Sequence, residues 1–144
     1  MIPPRWVLRA GWALHRALFA VTGGRVGTEA PCERRPGTLF LVTIGRRSGE
    51  RRRNAVFYTE DGLSFVVVAS NAGAAEDPGW WKNLQAHPDA EIHLGQDPRP
   101  VRGRRATPAE TARLWPRLVA VNPSYEDYRA VAGREIPVVI LEPR

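Results

Sequence analysis

A chain of 144 residues, 43% hydrophobic and 25% charged, has the length and make-up of one globular domain, which excludes a wholly disordered polymer. Its single cysteine, Cys32, rules out an intramolecular disulfide and a Cys-only metal site. The formal charge is +6, from 21 Lys+Arg against 15 Asp+Glu, and Lys82 is the only lysine, so the basic surface is built of guanidinium groups.

Such arginine usage reflects either a GC-rich coding sequence or a partner bearing phosphate or carboxylate, which the planar guanidinium fork grips better than an ammonium does. Composition alone does not choose among nucleic acid, anionic lipid and an anionic cofactor. No apolar run reaches the roughly 18 residues of a spanning helix, because Arg5, Arg9, His15 and Arg16 interrupt the N-terminal segment. The same residues spoil the apolar core of a signal peptide, and a cytoplasmic location is expected.

Pro3 and Pro4 open a predicted helix to about Val21 that Thr22-Gly23-Gly24 ends. At about 100° per residue, Val7, Gly11, Leu14, Leu18 and Val21 share one face, and Arg5, Arg9 and Arg16 gather around Trp12 on the other. Residues 1–24 are therefore read as an amphipathic N-terminal unit, either packed on the domain by its apolar stripe or laid on anionic lipid as an interfacial helix. Residues 25–144 form the main domain. Its linker runs to Gly37, and the buried, β-branched stretch Thr38–Ile44 is the first strand. After a loop at Gly45–Arg51, Arg53–Thr59 and Ser64–Ser70 flank the hairpin turn Asp61-Gly62. Ser64–Ser70 is almost wholly apolar and reads as central.

A short helix follows from Asp77-Pro78 to Ala86, halted before Pro88. Two strands, Ala90–Leu94 and Arg99–Arg105, lie around a Gly95–Pro98 turn. The capping box Thr107-Pro108-Ala109-Glu110 opens a helix to about Val121. A short helix through Tyr125 and Tyr128 and a last strand, Ile136–Leu141, complete the chain. Hairpin-linked strands with few βαβ units predict an α+β, mainly β architecture: a small barrel of mostly antiparallel strands flanked by helices.

Four segments carry candidate chemistry. In Gly45-Arg46-Arg47-Ser48-Gly49-Glu50-Arg51-Arg52-Arg53-Asn54, two glycines let backbone N–H groups curl around an anion. Ser48 adds a hydroxyl, and Arg46, Arg47 and Arg52 add charge-assisted donors. The alternative is a solvated basic hairpin. The small residues Ala69-Ser70-Asn71-Ala72-Gly73, at a strand exit, admit a flat ligand or form an ordinary turn. On the short helix, Trp80 and Trp81 are adjacent and cannot both face the core, so one belongs near a ligand or rim, where Asn83 can reach it. Tyr125 and Tyr128, three apart, share a helix face and wall either a pocket or the core. His15, His87 and His93 have no metal-ligand spacing, and no nucleophilic triad is visible.

Together these stretches resemble the deazaflavin-dependent nitroreductase family of actinobacteria. The resemblance rests on Thr43-Ile44-Gly45-Arg46-Arg47-Ser48-Gly49, Val67-Val68-Ala69-Ser70-Asn71-Ala72-Gly73 and Pro78-Gly79-Trp80-Trp81-Lys82-Asn83-Leu84. Ala106-Thr107-Pro108-Ala109-Glu110, Pro123-Ser124-Tyr125-Glu126-Asp127-Tyr128 and Arg134-Glu135-Ile136-Pro137-Val138-Val139 extend it, in order, to the end of the chain. It implies a split β-barrel that binds coenzyme F420, a deazaflavin with a phosphate and an oligoglutamate tail. By matching position, Arg46, Arg47, Ser48, Gly49, Arg52 and Asn54 become contacts to that tail. Ala69, Ser70, Asn71 and Gly73 then lie along the deazaflavin, and Pro78, Trp80 and Asn83 border it. Ser70, Tyr125 and Tyr128 line the substrate pocket and are the catalytic candidates.

The reaction implied is hydride transfer from reduced F420 to a quinone, nitro compound or activated alkene. A lipid quinone would give the basic N-terminal helix a purpose at the membrane. Three departures stand out: Ala55 replaces a proline, Phe57 a frequent tyrosine, and Asn122 a further pocket tyrosine. The hydroxyls missing at Phe57 and Asn122 weigh against nitroimidazole reduction more than against cofactor binding. Competing readings are an FMN- or haem-binding split barrel, a non-enzymatic lipid or fatty-acid carrier, and a nucleic-acid module, for which no fold signature is present. A homodimer through an exposed barrel edge is a further expectation.

Overall fold

The structure, a computed structural model, describes residues 2–21 and 28–144. Its elements in chain order are α1 (Arg5–Val21), β1 (Gly37–Ile44), β2 (Arg51–Asp61), β3 (Ser64–Val68), a 3₁₀ turn (Asn71–Gly73), α2 (Gly79–Ala86), β4 (Asp89–Leu94), β5 (Asp97–Arg105), α3 (Pro108–Val121), α4 (Ser124–Ala132) and β6 (Val138–Pro143). The helical stop foreseen at Thr22-Gly23-Gly24 lies outside the described residues.

The strands close into an antiparallel barrel in the order β1-β2-β3-β6-β5-β4, with β4 returning to pair with β1. The predicted split-barrel α+β architecture is thus present. Ser64–Ser70 lies between two strands, β2 and β6, as its apolar run predicts. The β2–β3 ladder is short, Thr59–Asp61 against Ser64–Val66, so Arg51–Tyr58 pair with β1 alone. The Asp61-Gly62 hairpin forms as expected, with Asp61 paired to Ser64 and Gly62 at φ 61°. β3 stops at Val68 rather than Ser70, and β6 starts at Val138 rather than Ile136. Ala69 N still donates to Pro137 O at 2.9 Å, but Pro137 has no N–H to return and the ladder ends.

Side-chain alternation builds two cores. Leu39, Leu41, Phe65, Val67, Val139 and Leu141 point into the barrel with Ile92 and Val101. Val66, Val68, Val138 and Ile140 point outward and are covered by Leu114 and Leu118 of α3 and Tyr125 and Ala132 of α4. The near-continuous apolar run of β3 thus reflects burial on both faces. Thr107 and Glu110 form the predicted capping box: Thr107 Oγ1 accepts from Glu110 N at 3.2 Å, and Glu110 Oε1 accepts from Thr107 N at 3.0 Å. A Thr107→Ala variant is expected to lose about 1 kcal/mol of stability. Urea melts would read this as a lower midpoint at unchanged slope.

α2 enters one end of the barrel, and Trp80, Trp81 and Leu84 all join the inner core. The expectation that only one tryptophan could be buried is corrected: Trp80 is 7% and Trp81 4% exposed. A helix seated within a barrel end has protein on more than one side, so neighbouring positions both find cover. Gly103 permits the seating, since a Cβ there would lie 3.0 Å from Leu84 Cδ1.

α1 crosses the outer face of β1 and β2, in the opposite orientation to the one its apolar stripe predicts. His15 stacks on Phe40 at 5.3 Å, and Trp12 meets Phe57 at 5.1 Å. Arg5 Nη1 donates to Asn71 O at 2.9 Å. The larger stripe residues are left uncovered, Leu14 64% and Leu18 45% exposed, while Val7 and Gly11 border the cleft. Aliphatic periodicity misleads here because the barrel offers aromatic rings and a carbonyl, which Trp, His and Arg satisfy better than leucine does.

Candidate functional site

Helix α1, the β1–β2 loop, the turn after β3, α2 and the start of α4 surround one cleft of about 1310 Å³. Arg46, Arg47, Ser48, Arg52 and Asn54 line it from the loop and β2. Ser70, Asn71, Pro78, Trp80 and Asn83 line it from the turn and α2, and Tyr125 and Tyr128 from α4. Three predicted residues do not reach it. Gly49 faces solvent, Ala69 is fully buried, and Gly73 packs on α4, where a Cβ would lie 2.8 Å from Val131 Cγ2.

The loop is folded tightly upon itself. Gly45 N donates to Glu50 O at 2.8 Å and Gly49 N to Gly45 O at 2.8 Å. Gly45 is required because a Cβ there would sit 2.5 Å from Ser48 Oγ. The glycine amides expected to hold an anion are therefore spent within the loop. Anion-binding capacity passes to the side chains. Arg52 is shared between Ser48 Oγ at 3.4 Å and Glu50 at 3.5 Å. Arg47 has no carboxylate partner among the described residues, and neither do Arg9 and Arg16, which α1 brings to the same cleft.

Asn83, 5% exposed, spends its amide on the loop rather than on the cavity. Its Oδ1 accepts from Arg46 N at 3.2 Å and Arg46 Nη1 at 3.0 Å, while Nδ2 donates to Thr43 Oγ1 at 3.1 Å. The turn is built differently. Ser70 is αR, and Asn71, Ala72 and Gly73 follow at φ 46°, 52° and 78°, a left-handed run that is costly for the two non-glycine residues. Asn71 braces it, donating from Nδ2 to Glu76 O at 2.9 Å and accepting Arg5. The Ser70 hydroxyl has no partner among the described residues.

Tyr125 is buried, and burial pushes its phenol up to about 12, although the Asn122 side chain hydrogen-bonded to it opposes the shift. Burial raises Tyr128 and Tyr58 as well. The folded protein holds the Tyr125 proton more tightly than the unfolded chain, whose tyrosines titrate near 10, so its contribution to stability is present below about pH 10 and is lost as pH rises toward about 12. Phenolate absorbance in the native protein is expected to show a last, alkaline step that Tyr125→Phe removes. A wild-type step from Tyr125 below pH 9 would contradict this.

Sequence reasoning did not find the α1 wall of Trp12 and His15, whereas Phe57 and Asn122, marked in the sequence as departures from the family pattern, do line the cleft. Trp12 carried the only signal: an aromatic residue set among arginines on the face opposite the aliphatic stripe.

Comparison with known proteins converges on one group. A family model described as F420H(2)-dependent quinone reductase matches residues 12–143. An F420H(2)-dependent quinone reductase of Mycobacterium tuberculosis is 36% identical over 134 residues, covering 91% of this chain and 89% of the relative. Among solved structures, an F420-H2 dependent reductase aligns with a TM-score of 0.66 at 28% identity, over 73% of this chain and 93% of its own. Another, described as a domain-swapped dimer, aligns at 0.69 and 25% identity over 90% of this chain and 96% of its own. Barrel, cleft and likeness agree, and the chain belongs to the F420H(2)-dependent quinone reductase family, whose members are F420-using oxidoreductases.

Proposed function

We propose that the cleft holds F420 beside a quinone and that the residues named from the sequence divide this work among themselves. The observation that carries the proposal is the convergence of separate segments on one cavity lined by both arginines and aromatic rings. The fit is chemical as well as spatial. Among the described residues Arg47, Arg9 and Arg16 have no carboxylate partner, as a site for a phosphate and several carboxylates requires. A cavity of about 1310 Å³ exceeds the roughly 300–1,000 Å³ of ordinary small-molecule pockets and admits a long cofactor with an acceptor.

Reduced F420 supplies a hydride at its deazaflavin ring, and the chain contributes binding, orientation and dryness. Arg46, Arg47 and Arg52 with Ser48 grip the phosphate and acidic tail, and Asn83 holds Arg46 in position. Pro78 and Trp80 give the flat ring an apolar wall. The free hydroxyl of Ser70 orients the acceptor's oxygen. Tyr125, held as neutral phenol, and Tyr128 close the pocket and offer a proton donor. Trp12 and His15 of α1 roof the cavity against water.

The acceptor we favour is a lipid-borne quinone. α1 turns Trp12 and His15 to the barrel and Leu14 and Leu18 outward, with Trp6 73% exposed. A helix with both faces used in this way can roof the cleft while resting on an anionic membrane surface. On this reading residues 1–24 are the roof and residues 25–144 the barrel. No described helix is long and apolar enough to cross a membrane. Likeness to a domain-swapped dimer supports a homodimer.

The test is fluorescence titration with F420 beside FMN, followed by turnover of reduced F420 with a water-soluble quinone. Tight F420 binding with quinone-dependent oxidation is the expected result. FMN binding without F420 binding at micromolar concentration would overturn it.

A further inference from the structure

Arg134 lies outside the cleft, yet it is the most heavily engaged arginine near it. It follows Gly133, the left-handed cap of α4 at φ 64°, and its side chain is only 15% exposed. Nε donates to Ala74 O at 3.0 Å, and Nη2 to Ala69 O, Ser70 O and Glu76 O, each at 3.2 Å. Nη1 donates to Asp77 Oδ1 at 2.7 Å and to Glu135 O at 3.2 Å. One guanidinium thus holds four carbonyls of residues 69–76 and the carboxylate that precedes Pro78 and α2.

We infer that Arg134 is a positioning residue that fixes the Ser70–Gly73 turn against α2 and α4, and so sets where Ser70 meets the ligands. Resting on the reading of the cleft as the F420 and quinone site, this explains how a left-handed run at Asn71, Ala72 and Gly73 persists. Such a backbone survives only where its surroundings over-determine it, and a planar fork with five N–H donors does so from a single point. Peptide planarity carries the effect onward. In a trans peptide the N–H points opposite to the C=O, so drawing the Ala69 and Ser70 carbonyls to Arg134 turns the Ser70 and Asn71 N–H groups away from it. The Asp77 pair fixes the start of α2, which brings Pro78 and Trp80 to the cleft, and Gly133 joins the same guanidinium to the helix bearing Tyr125 and Tyr128. Lysine has charge but no fork, and cannot span these acceptors.

Arg134→Lys, Arg134→Ala and Asp77→Asn test this on the full chain. Backbone amide spectra without cofactor are expected to show shifts at Ser70–Gly73 and at Gly79–Trp81 in Arg134→Lys, with smaller shifts at the same residues in Asp77→Asn. F420 dissociation constants should rise at least tenfold in Arg134→Lys. At saturating reduced F420, kcat for quinone should fall more than KM rises, since Ser70 is displaced rather than removed. Methylguanidinium added to Arg134→Ala should restore part of kcat and of F420 affinity, which general loosening of the fold would not allow. Unchanged turn resonances with wild-type affinity in folded Arg134→Lys would overturn the inference. If Arg134→Lys and Arg134→Ala fail to fold, absence of turn shifts in Asp77→Asn overturns it instead. Failure of the wild type to bind F420 is a separate outcome that removes the functional reading, while the amide shifts still decide whether Arg134 sets the turn.

Discussion

Replacing Arg47 with alanine is expected to weaken F420 binding about tenfold while leaving stability within about 0.5 kcal/mol, and adding Arg46→Ala should bring the loss to about a hundredfold. The asymmetry comes from the partners. Arg47 makes no hydrogen bond or ion pair with a described residue, so its removal orphans nothing. Arg46 Nη1 is tied to Asn83 Oδ1 at 3.0 Å, and its loss also loosens the hold of α2 on the loop. Charge-assisted hydrogen bonds to phosphate and carboxylate are each worth about 1.5–3 kcal/mol, which sets the scale. The wild-type constant should weaken with added salt, less steeply in the double variant, because exposed charges are screened. FMN, with one phosphate, should lose less than F420. Equal affinity of wild type and double variant for F420 would place the anionic tail elsewhere.

Removal of residues 2–21 should have the second large effect. Phe40 is fully buried, with His15 of α1 stacked on its ring, and truncation uncovers it together with Phe57. Exposing a phenylalanine costs about 2 kcal/mol, a drop of several degrees in Tm for a domain of this size. Turnover should fall by about tenfold or more, since the cavity loses the wall that excludes water and confines the acceptor. Flotation with anionic vesicles should be lost with it. A truncated protein that still floats would remove the membrane role of α1 and leave its role as a roof. Full turnover without α1 would remove the roof.

The residues that made the fold legible were those whose signal is local. Thr107 and Glu110 cap a helix through their own side chains, Asp61-Gly62 reverses the chain within two residues, and the apolar run of β3 states its burial without naming a partner. The four candidate segments were legible as a set for a similar reason, since each carries small or charged residues at the end of an element. Roles that depend on distant partners were not. Asn83 reads as a ligand contact, whereas Thr43 and Arg46, far away in sequence, take up its amide. The loop glycines read as anion donors, and closure of the loop claims their N–H groups. Nothing in the spacing of Arg134 announces that the carbonyls of another connection converge on it. The reversed face of α1 has the same origin: a hydrophobic stripe says which side is apolar, not which side meets rings.

The place of β6 in the barrel has a consequence for how the protein is made. β6 lies between β3 and β5 and pairs with both, so the first five strands, even when complete, form an open sheet with two unsatisfied edges. During synthesis those edges wait, exposed to other nascent chains, until Val138–Pro143 has cleared the ribosome. The turn that carries Ser70 waits with them, because Ala69 N finds its acceptor only on Pro137. The Ser70 turn is therefore not set until β6 is in place, and a stop codon before Val138 would yield an aggregating sheet rather than a weakened barrel.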